Sequence, residues 1–426
     1  MRSLTMRKLI FAAIILCTTV ISVFGNPIST YNHSFNPALL GVRTRGLFEL
    51  GGDLDFGFGN TSMPLGDVLS KEIVIDFNKI ADDLNGNNFS INMMASTEGH
   101  LALTLFGISF GTYSDFNSVV SIEVPNLLFD FMANGNTLNE SISDASNAYA
   151  RVFYETGLYG GYRWNDYQFG AKLGAFSPLL YSGSDAEFTT SFETSTTPDT
   201  ATQTYPDISA NAHLSMPFYS VVDLSGDNAV TAQELLSGLN GINVSFGAIK
   251  VRKNKAMYGV SLTGLTVVPA QAKYKSELTM DASIEIDNIA GNLDSDDDWI
   301  TDNIDDPEFT TSEEGKFSVS TPIQLGGFYR LTGFPFFIDW IGHAQFTFDD
   351  EIQYGAGITA EGAFFPFSWF SLGMEYDRVL WKTVLGMKAN LHVFEIGMDM
   401  GLAGPGFVSM LTGNGLYGKL YMAFGF

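Results

Sequence analysis

The last eleven residues of the chain decide its fold. Residues 416–426 read Leu-Tyr-Gly-Lys-Leu-Tyr-Met-Ala-Phe-Gly-Phe. Large apolar side chains share one parity and alternate with small or polar residues; the apolar set is Leu416, Leu420, Met422, Phe424 and Phe426. A period of two puts the two sets on opposite faces of a β-strand. The stretch therefore predicts a strand between lipid and a wet or crowded interior, although the last strand of a soluble β-sandwich would alternate in the same way.

The N-terminus has the layout of a secretory signal peptide. A basic start precedes an uncharged apolar run at residues 9–24, and the small residue Gly25 follows it. We predict a signal peptide at residues 1–25, which is too short for a membrane-spanning helix. The single cysteine, Cys17, lies in the apolar run, so the mature chain would have no thiol. A lipoprotein modified at Cys17 is the alternative, but apolar residues continue beyond that position.

The amino-acid composition argues against a nucleic-acid-binding protein and favours a membrane β-barrel. The chain has 47 acidic and 22 basic residues and a net charge of −25, which argues against a nucleic-acid partner because phosphates require a basic surface. Aromatic residues make up 14% of the chain, and 44 residues are glycine. This mixture is typical of membrane β-barrels, where lipid takes the place of a large buried core. After the signal peptide, no apolar run reaches the ~20 residues of a spanning helix.

Alternating segments recur along the chain and predict an all-β protein. We expect a transmembrane antiparallel up-and-down β-barrel of about 14 strands, with short turns on one side and long loops on the other. Residues 65–84 and 119–150 change to a helical period and predict helical loop pieces. The predicted organisation is a plug-like segment at 26–45 and a barrel at 46–426, with long loops at 182–206, 217–240 and 291–315.

Individual turns and an interface girdle follow from local composition. Ser96-Thr-Glu-Gly99 predicts a hairpin turn within residues 89–113, and Asn165-Asp166 predicts another between two alternating runs. Aromatic residues flank Pro366 on both sides, and we expect them in an aromatic girdle at the membrane interface. That set is Phe364, Phe365, Phe367, Trp369 and Phe370.

Asn36-Pro37-Ala38, shortly after the signal peptide, is a turn signal. It resembles the Asn-Pro-Ala segment at the start of FadL-like bacterial outer-membrane proteins. The resemblance implies a barrel of about fourteen strands with a short N-terminal plug, to which these three residues would belong. It also implies an apolar ligand that enters from outside, passes a pocket near the plug and leaves by a side opening. The aromatic end, Phe424 and Phe426, resembles the signal that the barrel assembly machinery reads in such proteins.

Residues 223–234 are similar to a twelve-residue EF-hand calcium loop. Oxygen-bearing ligands fall in register at positions one, three, five, seven, nine and twelve: Asp223, Ser225, Asp227, the Ala229 carbonyl, Thr231 and Glu234. Position six, which favours glycine because of its positive φ, is Asn228, the next most tolerant residue type. The pattern predicts a Ca²⁺ site, and an acidic loop that matches by chance is the alternative.

A second acidic run repeats this spacing less completely. The candidate ligands at positions one, three, five, nine and twelve are Asp294, Asp296, Asp298, Asp302 and Asp305. Trp299 stands where glycine is expected, so the run is more similar to the Asp-rich calcium repeats of secreted proteins. An ordinary solvated acidic loop is the competing interpretation.

No catalytic constellation is visible in the sequence. The five histidines are scattered without metal-ligand spacing, and there is no Gly-x-Ser-x-Gly elbow or phosphate-binding loop. We therefore expect no enzymatic activity. The first functional hypothesis is an outer-membrane channel or transporter for hydrophobic or small solutes, with lipid and the assembly machinery as partners. The alternatives are a non-transporting barrel that acts as a secretion-associated anchor or adhesin with calcium-stiffened loops, and a secreted soluble β-protein.

Overall fold

The computed structural model describes most of the chain. The described residues are 35–41, 47–68, 77–134, 141–182, 187–195, 207–223, 232–251, 256–286, 300–304, 308–312, 317–331, 338–349, 352–365, 368–391 and 393–425. The predicted signal peptide lies outside them, as does most of the predicted plug-like segment. No helix among these residues is long and apolar enough to cross a membrane.

Strands dominate the described residues. Those of the N-terminal half are β1 (Phe48–Asn60), β2 (Phe89–Leu105), β3 (Ile108–Val124), β4 (Ser141–Trp164), β5 (Tyr167–Tyr181), β6 (Glu187–Ser195), β7 (Asp207–Ser220), β8 (Gly241–Val251), β9 (Ala256–Val268), β10 (Ala270–Ala272) and β11 (Tyr274–Ile286). Those of the C-terminal half are β12 (Ile300–Ile304), β13 (Glu308–Ser312), β14 (Phe317–Val319), β15 (Ile323–Leu331), β16 (Ile338–Phe348), β17 (Ile352–Phe365), β18 (Ser368–Asp377), β19 (Leu380–Asn390), β20 (Phe394–Gly404) and β21 (Gly415–Gly425).

Helices are short and lie between strands. They are a 3₁₀ turn (Pro37–Gly41), α1 (Leu65–Val68), α2 (Phe77–Leu84), α3 (Asn126–Asn134), α4 (Ala232–Ser237) and α5 (Phe407–Leu411). The helical period at 65–84 is confirmed by α1 and α2. Residues 119–150 are only partly helical, because β3 continues to Val124 and β4 already begins at Ser141.

The strands close into a ring. Antiparallel pairing runs through β1, β2, β3, β4, β5, β8, β9, β15, β16, β17, β18, β19, β20 and β21. β21 then pairs with β1, from Glu49 opposite Gly425 to Gly59 opposite Gly415. The described ring thus has fourteen strands at its middle. At one rim, β6 and β7 insert between β4 and β5, which brings the count there to sixteen.

The two rims of the barrel differ. The short-turn rim joins β2 to β3 through Phe106-Gly107 and β4 to β5 through Asn165-Asp166. The long-loop rim carries α1 to α5 and strands β6, β7 and β10 to β14. Outer-membrane barrels keep short turns on the periplasmic side and longer loops outside the cell, and this chain has the same asymmetry.

The Asn165-Asp166 turn is confirmed, but the hairpin predicted around Ser96-Thr-Glu-Gly99 is wrong. β2 runs without interruption through these residues, and Asp53 of β1 lies opposite Glu98. The actual turn is at Phe106-Gly107, where both residues have positive φ, 52° and 81°. Polar residues inside β2 face the barrel interior, so they resembled a turn while keeping the strand period.

A further sheet rises from the long-loop rim. β6 pairs with the N-terminal part of β4, β7 pairs with β6 and β11, and β12 and β13 pair with different parts of β11. We call β6, β7, β11, β12 and β13 the rim sheet. The predicted loops at 182–206 and 291–315 therefore contain strands, while 217–240 contains the end of β7 and α4.

Alternation along β21 is confirmed. Leu416, Leu420 and Phe424 are 47%, 37% and 39% exposed, whereas Tyr417 and Tyr421 are buried. Strands around the whole ring expose large apolar side chains in the same way, among them Phe110, Leu158, Leu173, Phe246, Val260, Leu325, Ile358, Leu372 and Leu385. An outer wall of this kind is stable only when lipid covers it.

Candidate functional site

The N-terminal 3₁₀ turn lies against the inner wall near the short-turn rim. Asn36, Ala38 and Leu39 have no exposed surface. The Asn36 side-chain amide donates a hydrogen bond to the Val260 carbonyl oxygen at 3.0 Å, and its Oδ1 accepts one from the Ala38 backbone amide at 3.0 Å. One side chain therefore both shapes the turn and attaches it to β9, which satisfies polar groups that burial would otherwise leave unpaired.

Two glycines in the wall make room for this turn. A Cβ on Gly170 of β5 would lie 2.5 Å from the Ala38 backbone nitrogen. A Cβ on Gly247 of β8 would lie 2.0 Å from Asn36 Oδ1. The backbone of the turn could not approach the strands so closely if either position carried a side chain.

Apolar contacts complete the attachment. Ala38 and Leu39 form a buried cluster with residues of β8, β9, β15 and β16, namely Ile249, Met257, Phe328 and Ile341. The Phe35 ring meets Phe328 edge to face, with 6.4 Å between ring centroids. Asn36, Pro37 and Ala38 thus lie inside the barrel on the inner surface of five neighbouring strands.

The inner wall beside this apolar cluster is charged. Lys388 of β19 contacts Glu361 of β17 at 2.7 Å, and Arg330 of β15 contacts Asp339 of β16 at 2.7 Å. Arg330 also lies 3.4 Å from Glu361. Glu361 and Lys388 are both buried, so each charge depends on its partner.

Two further lysines hold carboxylates on neighbouring strands. Lys382 of β19 lies 3.1 Å from Glu375 and 3.6 Å from Asp377, both on β18. Lys419 of β21 lies 2.9 Å from Asp53 of β1. These contacts follow the register, in which Lys382 faces Glu375 and the closing pair of strands brings Lys419 beside β1. The sequence alone does not reveal these pairs, because the register between strands decides which side chains meet.

An ion pair crosses the interior at the long-loop rim. Arg151 of β4 contacts the Asp349 carboxylate, directly after β16. The Arg151 guanidinium also lies over the rings of Tyr149 and Tyr181, 5.4 Å and 5.3 Å from their centroids. This bridge narrows the interior at that level.

A cavity of about 290 Å³ lies within the barrel. Nine described carboxylates line it: Asp53, Asp55, Glu98, Asp115, Glu155, Asp349, Glu375, Asp377 and Asp399. Five basic side chains accompany them: Arg151, Lys172, Arg378, Lys382 and Lys419. The described interior is therefore polar, with an excess of negative charge.

An apolar hollow lies on the outer wall behind the N-terminal turn. Exposed side chains of β3, β8, β9 and β15 surround it, including Phe110, Phe246, Val260 and Leu325. The strands behind it, β4, β5, β8 and β9, are hydrogen-bonded to one another. The side opening that the family resemblance implies is not present in this described part of the wall.

The predicted calcium ligands lie mostly outside the described residues. Asp223 follows β7 and Glu234 lies in α4, whereas Ser225, Asp227, Ala229 and Thr231 are not among the described residues. Asp302 lies in β12, opposite Ile284 of β11.

In the second acidic run, Asp294, Asp296, Asp298 and Asp305 fall outside the description. No group of three or more His, Cys, Asp or Glu in the described part of the chain is arranged to hold one metal ion. Both calcium sites remain predictions.

The predicted assembly and girdle residues are described in part. Phe424 and Phe370 are exposed on the outer wall, and Trp369 lies under the Lys388 ammonium, 5.3 Å from its ring centroid. Trp369 therefore faces inward rather than contributing to a girdle. Phe426 and Phe367 lie outside the described residues.

Comparison with known proteins was informative only at the level of structure. No protein-family model matches the chain, and no curated protein matches its sequence. Similar solved structures include the toluene transporter TbuX of Ralstonia pickettii, with 9% identity, a TM-score of 0.45 and 92% of each chain covered.

Two further similar structures come from Pseudomonas. The toluene transporter TodX of Pseudomonas putida has 9% identity and a TM-score of 0.42, covering 94% of this chain and 93% of TodX. A FadL homologue of Pseudomonas aeruginosa has 9% identity and a TM-score of 0.42, covering 95% of this chain and 94% of the homologue. The fold of this chain is assigned from its own strand pairings and not from these similarities.

Among the described residues, the ring closes through β21 and β1, its outer surface is apolar, and the lining of its cavity is charged. That distribution is the reverse of a soluble β-protein, in which apolar side chains face inward. The chain is therefore a β-barrel of the bacterial outer membrane, similar to the FadL-like proteins.

Proposed function

We propose that this barrel is a channel for small polar solutes and that it favours cations. The observation that carries the proposal is the lining of the interior cavity, where nine described carboxylates face five basic side chains. A pore wall with an excess of carboxylates lowers the energy of cations inside it and raises that of anions.

The proposal narrows the expectation derived from the family resemblance, which allowed hydrophobic solutes. A hydrophobic ligand in the cavity would lie against charged side chains such as Lys382 and Glu375, which pair at 3.1 Å. Desolvating these charges without replacing their hydrogen bonds is unfavourable. Small hydrated solutes carry their own hydrogen-bonding groups and avoid that cost.

Planar-bilayer recording tests the proposal. Purified barrel would be inserted between KCl solutions of unequal concentration, and the reversal potential measured. We expect a conductance whose reversal potential has the sign of K⁺ preference over Cl⁻. Anion preference, or uptake of hydrocarbons without any ionic conductance, would contradict the proposal. As a matched control, Asp130→Asn removes an exposed carboxylate on α3 outside the cavity and leaves the reversal potential unchanged.

The rim sheet supports a second candidate function, an anchor or adhesin at the cell surface. β6, β7, β11, β12 and β13 extend the sheet beyond the ring, and exposed groups such as His213 and Asp281 lie on it, 2.7 Å apart. Calcium at residues 223–234 would stiffen the segment between β7 and β8. Removing residues 187–217 tests this candidate, because loss of surface adhesion with unchanged conductance would favour the anchor over the channel.

A further inference from the structure

Four carboxylates form a row across neighbouring strands. Asp53 of β1 lies opposite Glu98 of β2, Glu98 lies opposite Asp115 of β3, and Asp115 lies opposite Glu155 of β4. All four line the interior cavity. We call them the acidic row. Like charges directly opposite one another destabilise a sheet, so a cation beside this row would be stabilising.

Several described side chains contact the row. Lys419 contacts Asp53 at 2.9 Å, and the Glu98 carboxylate lies 4.0 Å from the His100 ring. Glu155 accepts hydrogen bonds from the Tyr113 hydroxyl and, at 2.6 Å, from the side-chain amide of Asn243.

The centre of the row, Asp115, has neither a hydrogen bond nor an ion pair among the described residues. The Lys172 ammonium, which also lines the cavity, lies over the Tyr113 ring, 4.4 Å from its centroid. Asp115 therefore lines the cavity without a direct polar contact to another described side chain.

A second observation points to a missing partner beside the row. Asn243 is 1% exposed, and its Oδ1 atom accepts no hydrogen bond although its amide nitrogen is bonded to Glu155. This oxygen converges with the Glu155 carboxylate and the Tyr113 hydroxyl above Gly174, where a Cβ would be 2.8, 2.4 and 2.5 Å from them. Buried acceptors of this kind are rarely left unfilled. The missing partner must be a donor or a cation.

The spacing of the row decides which cation fits. No three described acidic or histidine side chains converge enough to share one metal ion. Adjacent strands are instead roughly 5 Å apart, so the four carboxylates offer separate positions along a line. A chain of three or four methylene groups spans about one such step. The ligand that matches is linear and carries several ammonium groups.

The ring of Tyr113 supplies a surface for such a ligand. Lys172 already places an ammonium group on this ring, which shows that the ring and the surrounding carboxylates accept an alkylammonium group. Met94 and Val119 also line the cavity and offer apolar contact for methylene groups.

We propose that the acidic row binds linear polyamines and that polyamines are a substrate class of this barrel. The inference rests on the proposed cation passage for access to the row. The ammonium groups pair with Glu98, Asp115 and Glu155, and one of them donates a hydrogen bond to Asn243 Oδ1.

Equilibrium binding and conductance test the inference separately. Spermidine would be titrated calorimetrically into the purified full-length barrel at low salt, and also added to the bilayer as a blocker of K⁺ current. We expect tighter binding from putrescine to spermidine to spermine. Mg²⁺ carries the same charge as putrescine. If Mg²⁺ binds as tightly as putrescine, the row attracts any dication and the proposal is overturned.

Variants locate the site. Asp115→Asn and Glu98→Gln each remove one charge at constant size and should weaken spermidine binding about tenfold. Asp130→Asn on α3 is the matched control and should leave binding unchanged. Lys172→Gln removes the resident ammonium and should strengthen binding, a gain that misfolding cannot produce. Each variant is first shown to fold into a closed barrel, which migrates faster on a gel before boiling than after it.

The outcomes separate the two proposals. Cation-selective current without spermidine binding overturns the polyamine site and leaves the channel standing. Spermidine binding without any current overturns the channel and leaves the row as a binding site. Equal spermidine affinity in the parent and Asp115→Asn overturns the placement at the acidic row.

Discussion

Arg151 of β4 and Asp349 at the end of β16 form an ion pair across the inside of the barrel, although four strands separate them around the shorter side of the ring. Their side chains are only 12% and 10% exposed. Because the pair joins distant parts of the wall, it limits the width of the interior near the long-loop rim.

Breaking this bridge should widen the channel. Arg151→Ala removes the guanidinium and its contacts with Tyr149 and Tyr181, so we expect a larger single-channel conductance in planar bilayers. Asp349→Asn should give a smaller increase, since the amide can still accept a hydrogen bond. Arg163→Ala, an exposed basic position near the short-turn rim, serves as control. Unchanged conductance in Arg151→Ala would show that the narrowest point lies elsewhere.

The buried pair of Lys388 and Glu361 should matter for stability. Lys388→Met removes the partner that lies 2.7 Å from the buried Glu361 carboxylate, and we expect a loss of about 3 kcal/mol in the free energy of unfolding. Urea titration of the barrel in lipid vesicles measures this loss. The double variant Lys388→Met with Glu361→Leu should recover most of it, because no uncompensated charge remains. A double variant as unstable as the single one would contradict this explanation.

Glycine at positions 170 and 247 should be required for seating the N-terminal turn. Gly247→Ala places a methyl group against Asn36 Oδ1, and we expect the turn to be displaced at a cost of about 1–3 kcal/mol. Limited proteolysis of the folded barrel should then cleave near residue 36. Gly160→Ala on β4 is the matched control, because its Cβ would have no neighbour within 4 Å. Equal protease resistance in both variants would argue against the close contact.

A charged side chain on the outer wall should destabilise the barrel. Leu385 of β19 is 58% exposed on the face opposite Lys382 and Lys388. Leu385→Arg would place a charge in lipid and should cost about 2–4 kcal/mol if this position is near the midplane. Leu385→Met at the same position should be nearly neutral. Refolding into vesicles under a urea gradient compares the two, and equal stabilities would contradict contact with lipid.

The calcium prediction for residues 223–234 has its own test. Titration of Ca²⁺ into the purified protein should show binding that Asp223→Ala combined with Glu234→Ala weakens, because both end ligands are lost. The equivalent change of Asp294 and Asp298 tests the second acidic run. Unchanged Ca²⁺ affinity in the first double variant would exclude a site at 223–234.

The sequence predicted features that depend on local period and turn chemistry. Leu416, Leu420 and Phe424 face outward as their parity indicated, and the closed all-β barrel is confirmed. The predicted count of about fourteen strands is too low, because β6 and β7 bring the barrel to sixteen strands and β6 lies in a segment that the sequence predicts as a loop. The turn at Asn165 was also found, since asparagine tolerates its positive φ of 53°.

Other features were missed because the local pattern was ambiguous. Polar residues near Ser96 resembled a turn, although they point into a polar interior, where a strand can carry them. Trp369 was assigned to a lipid-interface girdle, although its parity places it inside, beneath Lys388. In a barrel with a water-filled interior, polar residues occur both in turns and on the inward faces of strands. The polarity of a short segment therefore does not distinguish a turn from a strand.

By itself, the sequence determined the class of fold and the outward face of its strands, because a period of two is a property of each strand alone. Only the tertiary structure decided that Asp53, Glu98, Asp115 and Glu155 form one row. It also decided that Arg151 reaches Asp349 across the interior. These contacts depend on the register between strands and on closure of the ring, which bring together side chains separated by up to 198 positions.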